Sequence, residues 1–246
     1  MQGIIDADVL VHWAARGSED AESAVEMLHD LMADAIEGSW CDPDDLRVAV
    51  KGKGNYRKDV VDNYKANRGE LDDELKAKLN AVHRTLVNDY KAIPADGMEA
   101  DDLVRIWANE AVAEDRQFII IAEDKDLKCI PGRHYNPKKK ILEWQSEDDA
   151  DLLYHQQLLT GDSADNIQGL YRIGPKKAQS FLKDVPMGQR MKTVIKVWQE
   201  KEPDDWFEKL NICGKLITIL PTLDYVFDLQ EIIDASEESK DVPSEV

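Results

Sequence analysis

Hydrophobic positions along the chain fall into short continuous runs separated by longer segments with helical spacing. The runs lie at residues 3–6, 46–50 and 118–122, and they predict buried strands. Apolar residues three or four apart predict helices over 20–37, 71–90 and 99–114. Strands that alternate with helices indicate an α/β fold with a mostly parallel sheet. In such sheets the functional residues follow the carboxyl ends of the strands.

The pattern changes after about residue 150, where strand-like runs become rare. Helical spacing there covers 151–160, 175–183, 189–200 and 204–220. We therefore predict an α/β domain over 1–150 and a helical subdomain over 151–230. The remaining segment, 231–246, is an acidic tail that we expect to be partly disordered.

Composition narrows the class of protein. Of the 246 residues, 43% are hydrophobic, which is enough for a core and excludes wholesale disorder. No stretch approaches the roughly 18 apolar residues of a membrane span, and the N-terminus lacks the features of a secretory signal. The cysteines Cys41, Cys129 and Cys213 are too far apart in sequence for a zinc knuckle or a disulfide framework. We expect a cytoplasmic protein.

Charge is unevenly distributed along the chain. The net charge of −19 argues against a nucleic-acid partner, yet three segments are basic. Six Lys/Arg and two Asp give 51–68 a charge of +4, six Lys/Arg and one Asp give 125–140 a charge of +5, and four Lys/Arg give 172–183 a charge of +4. Any one of them is also consistent with a solvated surface. A phosphate, however, responds to the potential within roughly 8–10 Å rather than to the total charge.

Acidic residues recur where predicted strands end and helices begin. A single acid at a helix N-terminus stabilises the helix by about 0.3–1 kcal/mol, and that is its ordinary role. Several acids that converge on one sheet edge repel each other unless a cation neutralises them. Oxygen ligands without His or Cys suit Mg²⁺ or Mn²⁺, and two such ions can promote phosphodiester hydrolysis. The candidate metal ligands are Asp6, Glu99, Asp101, Asp102, Asp124, Asp126, Asp162 and Asp165.

Two further segments suggest contacts with nucleic acid. Residues 167–178 predict a glycine-containing hairpin that enters a helix through Pro175, and free backbone N–H groups at a helix start can bind a phosphate. The same residues also fit an ordinary turn. Residues 55–58 and 64–68 interleave aromatic and basic side chains, a pattern that suits an unpaired strand.

Together these motifs resemble the 5′-nuclease family, which includes flap endonucleases, phage 5′→3′ exonucleases and the 5′-nuclease domain of bacterial DNA polymerase I. The resemblance runs from Ile4 to about Ala178. It rests on the ordered set of Asp6, Tyr-Lys-Ala-Asn-Arg, Glu-Ala-Asp-Asp, Asp-Lys-Asp, Gly-Asp-Ser-Ala-Asp-Asn and Ile-Gly-Pro-Lys-Lys-Ala.

The resemblance implies a PIN-like core, a helical arch over about 66–97 and a helix–three-turn–helix motif that binds duplex DNA. It implies that the eight acids are metal ligands, that Tyr64 and Lys65 form a catalytic pair at the base of the arch in which the lysine assists at the scissile phosphate, and that Arg57 and Arg68 contact phosphates. The implied duplex-binding residues are Gly169, Arg172, Gly174, Lys176 and Lys177. The resemblance also implies two or more Mg²⁺ or Mn²⁺ ions, a K⁺ ion at the hairpin 169–174, and a monomer that acts on DNA flaps, nicks or ends, with RNA–DNA hybrids included.

The chain departs from the family pattern at two places. Residues 50–54 contain no acid where many relatives have an aspartate, and Arg172 occupies a position where relatives often have glycine. A DNA-junction binding protein with weakened catalysis therefore remains an alternative, and so does a PIN-type ribonuclease. A nucleotide-binding oxidoreductase is disfavoured because no Gly-x-Gly-x-x-Gly follows the first strand.

Overall fold

The computed structural model describes residues 1–67 and 69–238, and these form two compact units. The first unit comprises Met1–Asp59, the chain from residue 68 to Asp151, and Ile219–Leu223. The second comprises Val60–Asn67, Leu152–Thr218 and the chain from Asp224 onward. Both units are discontinuous in sequence, because the segment 60–67 belongs to the second unit and the segment 219–223 to the first.

The first unit is built on a six-stranded sheet in the order β3-β2-β1-β4-β5-β6. Its strands are β1 (Gln2–Asp6), β2 (Leu46–Lys51), β3 (Ile93–Ala95), β4 (Phe118–Ile121), β5 (Gly132–Asn136) and β6 (Ile141–Gln145). All neighbours are parallel except β5 and β6, which form an antiparallel hairpin. The predicted α/β fold with a mostly parallel sheet is confirmed. Central β1 is buried along its whole length because helices cover both faces of the sheet.

The helices of the first unit include α1 (Asp8–Gly17), α2 (Ala21–Ser39), all but the last residue of the short α3 (Arg57–Val60), α4 (Asp73–Asp89) and α5 (Ala100–Ala113). Alternate strand residues such as Ile5, Val50 and Ile119 pack with α1, α2 and α4 in one core. Helix α5 packs against β1, β2, β3 and β4. Its N-terminus therefore begins beside the carboxyl ends of β1 and β2.

The predicted arch over 66–97 is for the most part a packed helix. Val82 and Leu86 of α4 are fully buried against α1 and α2, and His83 Nε2 lies 2.8 Å from the carbonyl oxygen of Lys51. The apolar stripe of this segment faces the core of the first unit and holds the helix against it. The predicted helical boundaries, 71–90, agree with α4, whereas its predicted location as an arch does not.

The second unit is mainly helical. Its elements are the C-terminal part of α6 (Glu147–Thr160), β7 (Gly161–Asp162), β8 (Ile167–Gln168), α7 (Pro175–Leu182), α8 (Arg190–Lys201), α9 (Trp206–Ile217) and α10 (Leu229–Glu238). Trp198 is buried at its centre, where its indole N–H donates to the carbonyl of Leu158 at 2.9 Å. Part of the predicted acidic tail is helix α10, and residues 239–246 lie outside the described residues. In the described ranges no helix is long and apolar enough to cross a membrane.

Candidate metal centre and nucleic-acid interface

Four predicted metal ligands of the first unit lie within electrostatic reach of one another. Asp6 ends β1, Glu99 caps α5, Asp101 lies in its first turn, and Asp124 follows β4. Burial, and then the charges of Asp6, Asp124 and Glu99, raise the pKa of Asp101 well above its ordinary value. Burial and the charge of Asp8 do the same to the pKa of Asp6. Parallel topology causes this convergence, because the carboxyl ends of the strands share one edge.

Hydrogen bonds orient three of these four carboxylates. Asp6 accepts the Asp8 N–H at 3.1 Å, Asp124 accepts the Asp126 N–H at 2.8 Å, and Glu99 accepts from the Asn55 side chain at 2.9 Å. The Asp101 carboxylate has no hydrogen bond or ion pair with any described residue. An all-oxygen donor set with unbalanced negative charge fits a hard divalent cation. In the described ranges, no three His, Cys, Asp or Glu side chains are arranged to hold a metal ion as they stand.

Asp102 differs sharply from its neighbour Asp101. Its two oxygens accept four hydrogen bonds: Arg57 Nη1 at 2.7 Å and Nη2 at 2.9 Å, the Glu99 N–H at 2.9 Å and the Leu220 N–H at 2.9 Å. Burial alone would lower the pKa of Arg57, but its bonds to Asp102 outweigh that effect and raise it. Both side chains are buried. The structure therefore argues against Asp102 as a metal ligand and against Arg57 as a phosphate contact. Both are framework residues, meaning buried residues that hold the start of α5 in place.

Three predicted metal ligands remain. Asp126 opens a short turn after β4 in the first unit, with an oxygen 4.0 Å from the Lys125 ammonium group. Asp162 and Asp165 lie in the second unit, around the loop between β7 and β8. Asp162 is buried and accepts the Ala164 N–H at 2.7 Å.

Asp165 lies 3.2 Å from the ammonium group of Lys65 and 3.5 Å from the Tyr64 hydroxyl. Tyr64 is only 3% exposed and belongs to the core of this unit, so it cannot stack on a base. The Lys65 side chain is 18% exposed, and Asp165 orients its ammonium group.

Two glycines of the predicted duplex-binding segment have opposite surroundings. A Cβ atom at Gly169 would lie 2.1 Å from the carbonyl carbon of Thr160, so the β7–β8 hairpin requires glycine there. A Cβ atom at Gly174 would meet nothing within 4 Å, and the φ of −93° suits any residue. The structure explains Gly169 by packing within the hairpin. It leaves the bare backbone at Gly174, where α7 begins, open to an approaching ligand.

The turn before α7 presents basic side chains to solvent. The Ile173 N–H donates to the Leu170 carbonyl at 3.1 Å, and Arg172 within the turn has a φ of +58°. Arg172 therefore adopts the left-handed backbone conformation that glycine usually provides at this position of a turn. Its guanidinium lies 5.0 Å from the ring centroid of Tyr171, which is 77% exposed.

Lys176 and Lys177 follow on α7. Both are exposed and have no ion pair with any described residue. Arg68, the remaining predicted contact, lies outside the described residues.

The basic segment 125–140 is largely neutralised within the first unit. Lys138 pairs with Glu123 at 2.6 Å, Lys140 pairs with Asp34 at 2.9 Å, and Lys128 pairs with Glu143. Its charge is therefore that of a solvated surface. Segments 51–68 and 172–183 each keep three cations without an ion pair to any described residue: Lys51, Lys53 and Lys58 in the first, and Arg172, Lys176 and Lys177 in the second.

Sequence analysis does not single out Asp8, because an acid in the first turn of a helix is unremarkable by itself. In the structure its Oδ1 atom accepts the Lys51 N–H at 2.7 Å, at the carboxyl end of β2. The Asp-x-Asp pattern directly after a predicted strand is the one signal in the sequence that could have revealed it.

Comparisons with known proteins agree with this architecture. Residues 16–150 match the family model of the 5′-3′ exonuclease N-terminal, resolvase-like domain. The chain is 34% identical over 141 residues to DNA polymerase I of Rhizobium leguminosarum, a match that covers 52% of this chain and 14% of that protein. It is 25% identical over 189 residues to flap endonuclease Xni of Aliivibrio salmonicida, covering 72% and 74% of the two chains.

A solved structure shares the fold. The flap endonuclease of bacteriophage T5, determined in complex with DNA and metal ions, superposes with a TM-score of 0.63 at 17% sequence identity, covering 88% of this chain and 85% of that one. The fold and the carboxylates at its sheet edge define a chain of the 5′-nuclease class. More specifically, the chain belongs to the 5′-3′ exonuclease family through its N-terminal, resolvase-like domain.

Proposed function

We propose that this protein is a metal-dependent 5′-nuclease that hydrolyses phosphodiester bonds at the 5′ ends or flaps of branched or duplex DNA, RNA primers included. The observation that carries the proposal is Asp101, a carboxylate without a hydrogen bond or ion pair among the described residues, surrounded by the charges of Asp6, Glu99 and Asp124. Such an arrangement is unfavourable unless a cation joins it. The similarity to DNA polymerases I supports a place for the activity in DNA replication.

Asp6, Glu99, Asp101 and Asp124 would hold Mg²⁺ or Mn²⁺, with Asp126 of the same unit as a further candidate. Asp162 stays a predicted ligand, and Asp165 is assigned to Lys65 instead. When bound, such an ion lowers the pKa of water and stabilises charge on phosphate oxygens. The proposal requires the carboxylates of the first unit to draw together on binding. The Arg57–Asp102 pair fixes the first turn of α5, so the backbone of Glu99 and Asp101 stays in place while their side chains move.

Lys65 would supply a positive charge to the scissile phosphate. Asp165 holds its ammonium group at 3.2 Å, and the Tyr64 ring centroid lies 5.1 Å away. A cation held in advance needs little reorganisation when negative charge develops in the transition state. In this proposal Tyr64 and Asp165 position Lys65 and do not themselves touch the substrate.

The β7–β8 hairpin and α7 would bind the duplex region of the substrate as part of a helix–three-turn–helix motif. Lys176 and Lys177 are exposed beside the start of α7, and the bare backbone of Gly174 lets a phosphate approach its N–H groups. Arg172 adds a third cation. The K⁺ ion implied for residues 169–174 stays a prediction.

Product-length analysis tests the proposal. Duplexes carrying a 5′-labelled flap, a nick or a blunt end would be incubated with the protein in Mg²⁺, Mn²⁺ or EDTA. We expect short 5′ products from flaps or ends with either metal and none in EDTA. Tight junction binding without cleavage in any metal would favour the weakened DNA-binding protein, and cleavage restricted to single-stranded RNA would favour the PIN-type ribonuclease.

A further inference from the structure

The carboxyl end of β2 differs from the neighbouring strand ends of the sheet. Asp6 ends β1, Asp124 follows β4, and Glu99 and Asp101 follow β3 at the start of α5. Residues 50–54, at the end of β2, contain no acid. Strand β2, which pairs with β1, therefore contributes no carboxylate of its own to the sheet edge where the carboxylates of the other strands converge.

A side chain from α1 occupies this place instead. Asp8 is the first residue of α1, and its Oδ1 atom accepts the backbone N–H of Lys51, the last residue of β2, at 2.7 Å. Its own N–H donates to Asp6 Oδ1 at 3.1 Å. Because β1 and β2 are parallel neighbours, this hydrogen bond fixes the Asp8 carboxylate across the end of β2 and next to Asp6.

The second oxygen of Asp8 has no hydrogen-bond partner among the described residues. A helix-capping acid would normally point its oxygens at N–H groups of its own helix. Asp8 instead accepts a hydrogen bond from a different strand with one oxygen. The opposite charges of His12 and Lys51 and the like charge of Glu99 act on its carboxylate, and its own charge acts on Asp6.

We infer that Asp8 is a further residue of the metal centre, supplying from α1 the carboxylate that the end of β2 lacks. The inference rests on the proposed function, because it assigns Asp8 to the divalent cation of that site. Asp8 either binds the cation directly or accepts a hydrogen bond from a water bound to it. The hydrogen bond from the Lys51 N–H fixes the orientation of its carboxylate. Replacement of a residue in either position weakens metal binding by about 10- to 100-fold.

Calorimetric titration of the full chain with Mn²⁺, in the absence of DNA, tests this inference. The variant Asp8→Asn keeps an oxygen acceptor for Lys51 and removes the charge. The matched control is Asp96→Asn, because Asp96 Oδ1 accepts the Lys53 N–H at the same 2.7 Å from an exposed position. Asp101→Asn reports on the metal site itself, and circular dichroism melting confirms that each variant is folded.

We expect Asp8→Asn to raise the Mn²⁺ dissociation constant about tenfold or more, with Asp96→Asn unchanged. If Asp101→Asn loses Mn²⁺ binding while Asp8→Asn binds like the unaltered protein, the inference about Asp8 is overturned and the proposed function stands. If Asp8→Asn and Asp96→Asn weaken Mn²⁺ binding equally, the loss reflects the lower net negative charge of the protein rather than a contact of Asp8, and the inference also fails. If the unaltered protein takes up no Mn²⁺, both proposals fall together.

Discussion

Arg57 and Asp102 form a two-pronged ion pair inside the first unit, with Nη1–Oδ2 and Nη2–Oδ1 distances of 2.7 and 2.9 Å. The pair connects three stretches of chain, because Asp102 also accepts the N–H groups of Glu99 and Leu220. It therefore ties the start of α5 both to α3 and to the segment 219–223. Four donors on one carboxylate are far more than a helix cap requires, and they mark Asp102 as a framework residue.

Asp102→Asn should be strongly destabilising. An amide cannot accept four hydrogen bonds, and Arg57 would be left as a buried charge without its partner. Breaking a buried ion pair from one side costs about 3–5 kcal/mol. Urea unfolding of the metal-free protein measures the loss. A matched change at exposed Asp42, whose Oδ1 accepts only the Asp44 N–H, should cost far less. Equal effects would contradict the framework role.

Asp101→Asn should have the opposite effect on the metal-free protein. The folded-state pKa of Asp101 is raised, first by burial and then by neighbouring carboxylates, so the folded protein binds its proton more tightly than the unfolded chain does. Its ionised form therefore destabilises the fold at neutral pH, and this penalty is relieved as the pH falls towards the unfolded value of about 3.9.

The measurement is thermal melting in EDTA from pH 7.5 to pH 4. We expect Asp101→Asn to melt higher than the unaltered protein at neutral pH, with the difference shrinking in acid. Excess Mn²⁺ should stabilise the unaltered protein more than the variant. A variant that melts lower at neutral pH and responds fully to Mn²⁺ would remove Asp101 from the metal centre.

The contrast between Asp101 and Asp102 shows where sequence reasoning reaches its limit. Both acids open the same predicted helix, and nothing in their spacing distinguishes a metal ligand from an ion-pair partner. The side chains of successive helix residues point about 100° apart around the helix axis. Asp101 is therefore only partly buried, whereas Asp102 lies in the core. Which direction is buried depends on Arg57, which comes from a distant part of the chain.

The fold was predictable where the hydrophobic pattern of a segment matches the burial of that segment in the structure. The apolar runs of β1, β2 and β4 are continuous because these strands are buried, so the sequence identifies them. The β5–β6 hairpin was not predicted, because β6 is an exposed edge strand with a mixed pattern. The location of α4 was mispredicted as an arch, since its apolar stripe defines a helix but does not identify the surface it packs on.

Lys65→Ala should affect catalysis more than binding. A cation that acts on charge developing in the transition state contributes about 10²–10³-fold to the rate. We expect single-turnover cleavage of a flap substrate to fall by that factor, with a much smaller change in the dissociation constant. Lys139→Ala is the charge-matched control, because Lys139 is exposed, has no ion pair with any described residue and lies in the segment 125–140, whose charge is that of a solvated surface. If affinity falls as far as the rate, Lys65 only docks the substrate.

Gly169→Ala and Gly174→Ala should separate packing from binding. A methyl group at Gly169 would lie within 2.4 Å of three backbone atoms of Thr160 and Gly161, so this change should lower stability markedly. At Gly174 the space is open and φ is ordinary, so the change should cost no more than the roughly 1 kcal/mol by which alanine is the poorer N-cap residue. Fluorescence anisotropy should nevertheless show weaker duplex binding by Gly174→Ala. Unchanged duplex binding would argue against phosphate approach at the start of α7.

Arg172→Gly should separate the stability of the turn from its interaction with DNA. A non-glycine residue in the left-handed region costs about 1–2 kcal/mol, whereas glycine adopts a φ of +58° freely. The greater freedom of glycine in the unfolded chain offsets part of that gain, so the free energy of unfolding should not fall. Loss of the guanidinium should weaken duplex binding and reduce the dependence of log affinity on log salt by about one unit of slope. Arg172→Lys, which keeps the charge, should retain that slope. A large loss of stability with no change in salt dependence would show that Arg172, stacked on Tyr171, serves the turn and not the DNA.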